Sequence, residues 1–469
     1  MAEVDAVLER IRAESIKMVD LRFTDLGGRW RHTTIDAASV DREILEHGLM
    51  IDGSGVPGWR EVSEADLLVR PDLDASFVDP FAAQPTLVIL CDAADPAAGV
   101  GYERDPRSVA ARAEAWLARR AYADRITVGV DVSYFLFDDV RIEMGPGGVG
   151  YRISGSETRT AAWQAHHPGN PGHRPHPGAA QLALPPADHA ADIRAEIASI
   201  LGTLGFSRIQ HDHGAGAGQC RTSFAAGGLV ETADRLQTFK YVCHQVAAAY
   251  GKSATFMAKP LAEEPGSGLG VHQALWRGDR PVFAGQGYAD LSPLCLSFIA
   301  GIIRHGRALN AFTNPTTNSY RRLRPGAEEP MLLTYAAHNR SAAIRIPYAS
   351  RPERKRIEVR FPDPSANPYL AFTAILMAGL DGIERKLEPG DAMDRNVYDL
   401  RPEEIQDLPT VARSLEEALE ALEADHEFLL AGEVMSADLI QAYIALKRRE
   451  IELVDSAPHP VELQLYYGI

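Results

Sequence analysis

Cysteine is scarce in this chain: there are four in 469 residues, at positions 91, 220, 243 and 295. They are widely spaced and form no C-x-x-C pair, which excludes a disulfide framework and a zinc ribbon and fits reduced thiols. Long apolar runs are also missing. No stretch approaches the roughly 18 residues that cross a bilayer, so no membrane span is expected. The charged, amphipathic start MAEVDAVLERIRAESIKMVDLRF is unlike a signal peptide, and a cytoplasmic location is expected. An excess of basic charge is absent as well. The balance of 48 Lys and Arg against 64 Asp and Glu, net −16, argues against nucleic acid or an anionic membrane as partner. There is no internal repeat and no low-complexity tract. What remains is an ordinary globular composition, 45% apolar and 24% charged, in a chain long enough for two or three domains.

Periodicity gives the outline. Residues 4–16 read as a short helix, and MVDLRFTDLGGRWRHTTI alternates on both sides of Leu26-Gly27-Gly28, a hairpin signal. LLVRPD and TLVILCD add strands, making a β-rich unit over residues 1–103. Pro106 opens a helix in its first turn, and RITVGVDVSYFLFDD reads as a strand. Gly145 to Pro186 reads as a long loop with His166, His167, His173 and His176, whose histidines are more simply solvated than metal-binding. Ile193, Ile197, Ile200, Leu201 and Leu204 share one helical face. Two further helices, TADRLQTFKYVCHQVAAAYG and SPLCLSFIAGIIRHGRALNAF, precede a helical C-terminal part. This order predicts an α+β fold with helices packed on an antiparallel sheet.

Two features carry chemistry. IQHDHGAGAGQCRTSF presents His211, Asp212 and His213 like metal ligands at a strand end, yet closes on Cys220 and Arg221, and a guanidinium is a poor neighbour for a cation. A cation beside Cys220 would lower its thiol pKa, although a lone Cys without a paired base is more often inert. Farther on, Arg322, Arg340, Arg345, Arg356 and Arg360 recur in strand-like contexts such as AAIRIP and IEVRFP. Several guanidiniums converging on one cavity need anions to pair with them. A carboxylate or phosphoryl pocket is therefore expected.

NAFTNPTTNSYRRLRPGAEEPMLLTYAAHNRSAAIRIP and RIEVRFPDPSANPYLAFTAILMAGLDGI resemble class I glutamine synthetases. So do VDLRFTD, DGSGVPGW, GKSATFMAKPL, NVYDLRPEE and HPVELQLYYGI, and the likeness runs in register along essentially the whole chain. The resemblance implies an N-terminal β-grasp domain (1–103), a catalytic domain (104–469), and a hexamer or dodecamer with active sites shared between neighbouring subunits. By the same resemblance Arg322 and Arg360 fall on substrate-carboxylate arginines, and Arg340 and Arg345 on those that meet phosphoryl groups. Glu328 falls on a flap carboxylate that accepts a proton, Asp52 on the aspartate a neighbour offers to ammonium, and Gly266 in the substrate loop. Tyr398 stands where some members are adenylylated, though a plain surface tyrosine is the simpler reading.

The cation positions differ from the pattern. The family's G-x-E-x-E reads GVDVS, placing Asp131 and Ser133 at the two glutamates. His211-Asp212-His213 and then Arg221 replace H-x-E and a later Glu. Gly270 stands at the first histidine of G-S-G-x-H-x-H, His272 keeps the second, and Glu358 is retained. Ala226 and Ala274 fall where members hold adenine and ribose. Two fillings of the changed site are expected: a single transition metal on Asp131, His213 and Glu358, or a metal-free site bridged by Arg221. Mg²⁺ and ATP are doubtful on this reading. Three functions fit: an enzyme with a remodelled site that binds an amino acid or other carboxylate and no longer makes glutamine, in a specialised pathway; an ATP-dependent γ-glutamyl ligase; or a non-catalytic oligomer.

Overall fold

The computed structural model describes residues 2–97, 101–145, 148–158, 172–175, 180–324 and 331–466. The first helix, α1 (Ala2–Ala13), precedes a five-stranded sheet made of β1 (Met18–Thr24), β2 (Trp30–Asp36), β3 (Leu49–Asp52), β4 (Asp66–Val78) and β5 (Thr86–Ala94), with the short α2 (Arg42–His47) between β2 and β3. Its order is β2-β1-β5-β4-β3, with β1 and β5 parallel and the other neighbours antiparallel. The predicted hairpin is the β1–β2 pair. Its apolar positions Val19, Leu21 and Phe23 join the hydrophobic core, and the alternate positions Asp20, Arg22 and Thr24 are buried as well.

A nine-stranded sheet fills the remainder. It runs β14 (Tyr335–Ala337), β15 (Ile344–Ile346), β16 (Ile357–Val359), β12 (Leu269–Arg277), β6 (Arg125–Phe137), β10 (Gln219–Ser223) and β9 (Gln210–His213). β11 (Ser253–Thr255) adds to β6 and β13 (Arg280–Pro281) to β12. Neighbours are antiparallel except β14 and β15. α3 (Pro106–Ala118), α4 (Ala191–Thr203) and α5 (Leu229–Ala249) pack against this sheet, α8 (Pro368–Glu384) packs on α3 and α5, and α6 (Pro293–Thr313), followed by the one-turn α7 (Ser319–Arg322), packs on α8. α6 and α8 make the most extensive helix pair, and α8 is buried almost all round. The architecture is the expected α+β.

One expected loop is partly a strand. β7 (Asp139–Gly145) pairs in register with β8 (Gly148–Ser154), so the stretch after Gly145 begins as a hairpin. Both its faces are exposed, with Ile142, Met144 and Tyr151 each more than 60% open. A strand buried on neither face shows no polar–apolar contrast for a sequence reader to detect. His166, His167 and His176 lie outside the described residues. His173 is exposed, and its carbonyl accepts a hydrogen bond from His189 Nε2 at 2.9 Å.

The buried Arg107 ties the first sheet to α5. Arg107 in α3 reaches Asp72 on β4, Asp92 on β5 and Asp234 on α5 at 2.6, 2.9 and 2.9 Å. Among the described residues no helix is long and apolar enough to cross a membrane.

Candidate active site

Register decides which side chains meet. Residues directly opposite in an antiparallel pair share a face, and faces alternate along each strand. Arg221 on β10 faces Asp212 on β9 and Ser133 on β6. Ser223 faces Asp131, and Asp131 faces Gly270 on β12. His272 faces Glu358 on β16, which faces Arg345 on β15. These rows line one side of the sheet and floor a cavity of about 530 Å³, walled by Arg322, Arg340, Arg356 and Arg360. The convergence expected of the arginines is what the structure contains.

Two carboxylates sit among the guanidiniums, and each is neutralised. Glu358 takes Arg345 Nε at 2.5 Å and Arg360 Nη1 at 3.4 Å. Asp131 takes His272 Nε2 at 3.1 Å, while Arg356 Nε donates to His272 Nδ1 at 3.3 Å. Burial works to raise the Asp131 pKa, but the bond from His272 and the fields of Arg356 and Arg345 outweigh it and hold it below the usual range. Burial pulls the Arg356 and Arg360 pKa values down, against the pull of nearby carboxylates. Arg360 Nε is buried with no hydrogen-bond partner. An incoming anion relieves that crowding of positive charge. Arg322 is buried and shaped by the backbone, donating to the carbonyls of Phe361, Pro362 and Arg360 at 2.9, 3.1 and 3.2 Å. Gly266 presses on it: a Cβ there would lie 2.7 Å from Arg322 Cγ.

Both expected fillings of the cation positions are corrected. Arg221 does not bridge Asp131 and Glu358; it pairs with Asp212 at 2.6 Å, its register partner. His213 does not join them either. It pairs with Cys220, one step out of phase with Asp212 and Arg221, so it falls on the opposite, core-facing side. There it is fully buried, with Nε2 at 2.8 Å from Glu157. The side chain that does gather with Asp131 and Glu358 is His272, with one donor atom of each within 4.8 Å of the others. Gly270 lies between the carboxylates, and a Cβ there would stand 3.2 Å from Glu358 Oε1. His211 is half-buried with Nδ1 unpartnered. Cys220 is inert: burial pushes its thiol up to about 12, and its cationic neighbour is Arg194 at 3.8 Å.

Asp52 ends β3, exposed, and accepts from Ser54 N and Oγ at 2.9 and 2.6 Å. These bonds hold its pKa below the usual value. It is not among the residues lining this chain's cavity. Glu328 lies outside the described residues. Asp212 and Glu157 escaped the sequence reading as structural partners. The only signal for Asp212 lay on the paired strand, where Arg221 and Ser223 alternate with Cys220 and Thr222. Glu157 follows β8 in a region read as loop and had none.

Comparison with known proteins accords with this geometry. Residues 15–96 match the family profile "Glutamine synthetase, beta-Grasp domain" and residues 103–466 "Glutamine synthetase, catalytic domain". Among relatives, the glutamine synthetase of Rhizobium meliloti (strain 1021) is 47% identical over 469 residues, covering 100% of both chains. That of Escherichia coli (strain K12) is 47% identical over 471 residues, covering 99% of each. Among solved structures, Plasmodium falciparum glutamine synthetase superposes with a TM-score of 0.91 at 25% identity, over 99% of this chain and 98% of that one. The expectation of a chain in a specialised pathway that has left glutamine synthesis is overturned by these matches. Relatives nearly half identical along the full length carry that name, and the differences at the cation positions sit inside an otherwise collinear chain.

Proposed function

The chain belongs to the glutamine synthetase family, and on that premise we propose that it is an ATP-dependent ligase joining ammonia to the side-chain carboxylate of glutamate. The observation that carries this reading is the set of guanidiniums converging on one cavity beside Asp131 and Glu358. A carboxylate attacking a γ-phosphoryl group is a reaction between anions, and its catalysis is chiefly positioning and electrostatics. Arg322 and Arg360 are the residues for the substrate carboxylate, and Arg340 and Arg345 those for the phosphoryl oxygens. The carboxylate oxygen bonds to phosphorus as ADP leaves; ammonia then bonds to the acyl carbon as phosphate leaves. Asp52 of a neighbouring subunit takes the proton from ammonium, in a hexamer or dodecamer with shared sites.

The family's reaction uses two divalent cations, and the donor atoms here fit one. Asp131, His272 and Glu358 supply two carboxylates and an imidazole within 4.8 Å, a set suited to Mn²⁺, Fe²⁺ or Zn²⁺ as well as Mg²⁺. A cation held there would screen charge on the phosphoryl oxygens. Around Ser133 and Asp212 the guanidinium of Arg221 occupies the carboxylate, and no cation is assigned to that position.

The test is direct. Full-length protein is incubated with glutamate, ammonium, ATP and Mg²⁺ or Mn²⁺, and glutamine and ADP are followed by mass spectrometry. Glutamine formed in proportion to ADP, and lost on chelation, is the expected result. Absence of glutamine with ammonium overturns the proposal.

A further inference from the structure

On the far side of the sheet from the arginine pocket lies a second cluster that the ligase chemistry does not use. Glu157, Asp188 and His213 are all buried, with one donor atom of each within 4.8 Å of the others. The set looks like a metal site, but its hydrogen bonds are already spoken for. Asp188 is gripped at both oxygens by Arg194, at 3.0 and 2.5 Å, and also accepts from Ala190 N at 3.1 Å. Glu157 Oε1 accepts from His189 N at 2.9 Å, and Oε2 accepts from Gly218 N at 2.6 Å.

The histidine identifies what completes the set. His213 Nδ1 lies 2.7 Å from the Gly214 carbonyl and Nε2 lies 2.8 Å from Glu157 Oε2. A carbonyl only accepts, so Nδ1 carries hydrogen, and Glu157 Oε2 already accepts from Gly218 N, which favours the ionised carboxylate and with it a second proton on Nε2, making the ring an imidazolium. Glu157 and Asp188 then balance His213 and Arg194, and the four charges sum to zero. Burial opposes the charged forms, yet the bond between them lifts the His213 pKa and lowers that of Glu157. The other titratable groups near the ring are His211 two residues back on β9 and Cys220 opposite on β10, whose thiol is uncharged.

The pair also joins separate segments. Glu157 fastens the end of the β7–β8 hairpin to the entry of α4, to the end of β9 and to the turn at 214–218. That turn is in contact with the substrate loop: Ala217 N donates to Glu264 Oε2 at 3.1 Å, and Gln219 Nε2 donates to the Gly266 carbonyl at 2.9 Å. Gly266 in turn abuts Arg322. We propose that the buried Glu157–His213 ion pair is a positioning strap that holds the 214–218 turn, and through it the 264–266 segment, against Arg322. Neither residue touches the cavity, so both act through others. Only the kinetic consequence rests on the ligase reading.

Three measurements test the strap. In protein labelled with ¹⁵N-histidine, magic-angle-spinning NMR of the wild type should show a ring with both nitrogens protonated, absent from His213→Gln. Hydrogen exchange of the 214–219 amides should accelerate at least about tenfold in Glu157→Gln and in His213→Gln, because a buried charge loses its partner. The double variant, with two neutral amides that can bond each other, should recover part of that protection. In turnover, the single variants should raise the KM for the carboxylate substrate more than they lower kcat. Exchange unchanged in both single variants overturns the strap. So does a neutral His213 ring, or a stoichiometric metal lost from His213→Gln but kept in Asp131→Asn. If the ligase reading fails, wild-type turnover is absent while the NMR and exchange results stand.

Discussion

Arg340 is exposed and lines the cavity, and among the described residues it makes no hydrogen bond or ion pair, so the part proposed for it is in binding. Arg340→Ala is expected to raise KM for the anionic substrates about tenfold or more, the worth of one charge-assisted bond, with Tm unchanged. Arg322→Ala should instead unfold at lower temperature, because it strips the Arg360 carbonyl of its donor and takes one of two donors from the buried carbonyls of Phe361 and Pro362, which keep Asn314 Nδ2 and Leu269 N. Gly270 occupies the space between Asp131 and Glu358. Gly270→His adds an imidazole to that donor set and is expected to tighten Mn²⁺ binding at least about tenfold by calorimetry. Asp105, the buried N-cap of α3, has its pKa pushed by burial and then by Asp92 from 3.8 up to about 7. The unfolded chain therefore loses this proton first, and stability falls as pH climbs from about 4 to about 7 and is flat above. Asp105→Asn keeps the cap and removes the buried charge. At about pH 8 it should gain roughly 1 kcal/mol in urea melts, with the difference vanishing in acid. The arginines were legible in the sequence because apolar neighbours marked their strands. His213 was not, because Gln210, His211, Asp212 and His213 are polar on both faces and nothing in their composition shows which face is core.

At the scale of elements, α6 and α8 cross so closely that glycine is required on both. A Cβ on Gly301 would lie 2.0 Å from the Ala378 carbonyl oxygen, and one on Gly382 would lie 2.1 Å from that of Ser297. Neither oxygen belongs to a flexible side chain, so the helices must part. Gly301→Ala is expected to lower stability by about 3 kcal/mol despite alanine's better helix propensity, and urea denaturation checks it. An unchanged midpoint would mean that this crossing is looser than its geometry. The helices themselves were plain in the sequence, since their apolar faces repeat at 3.6 residues. Strands with one buried face were equally plain. The β7–β8 hairpin was not, because it buries neither face within the chain, and the pairing of β9 with β10 was visible only as alternation across a glycine-rich turn.

At the scale of the whole molecule, the sequence pointed to the family and to two domains, while the proposed sharing of sites between subunits turns on where Asp52 sits. The pocket of one chain holds the arginines, but Asp52 is exposed on β3 and absent from that pocket's lining. If Asp52 serves a neighbour, the two halves of a site can be damaged in different subunits and regained by mixing. Asp52→Ala and Arg340→Ala, each impaired alone when the anionic substrates are held well below KM, should recover activity when unfolded together and reassembled. Each site needs an intact Asp52 from one chain and an intact Arg340 from the next. Random mixing at equal amounts therefore makes about a quarter of the sites whole, as expected for a ring of heterologous contacts. Light scattering on the same sample should give the mass of a hexamer or dodecamer. A monomer at micromolar concentration, or mixed assemblies no more active than their parents, would show that Asp52 works within its own chain or not at all.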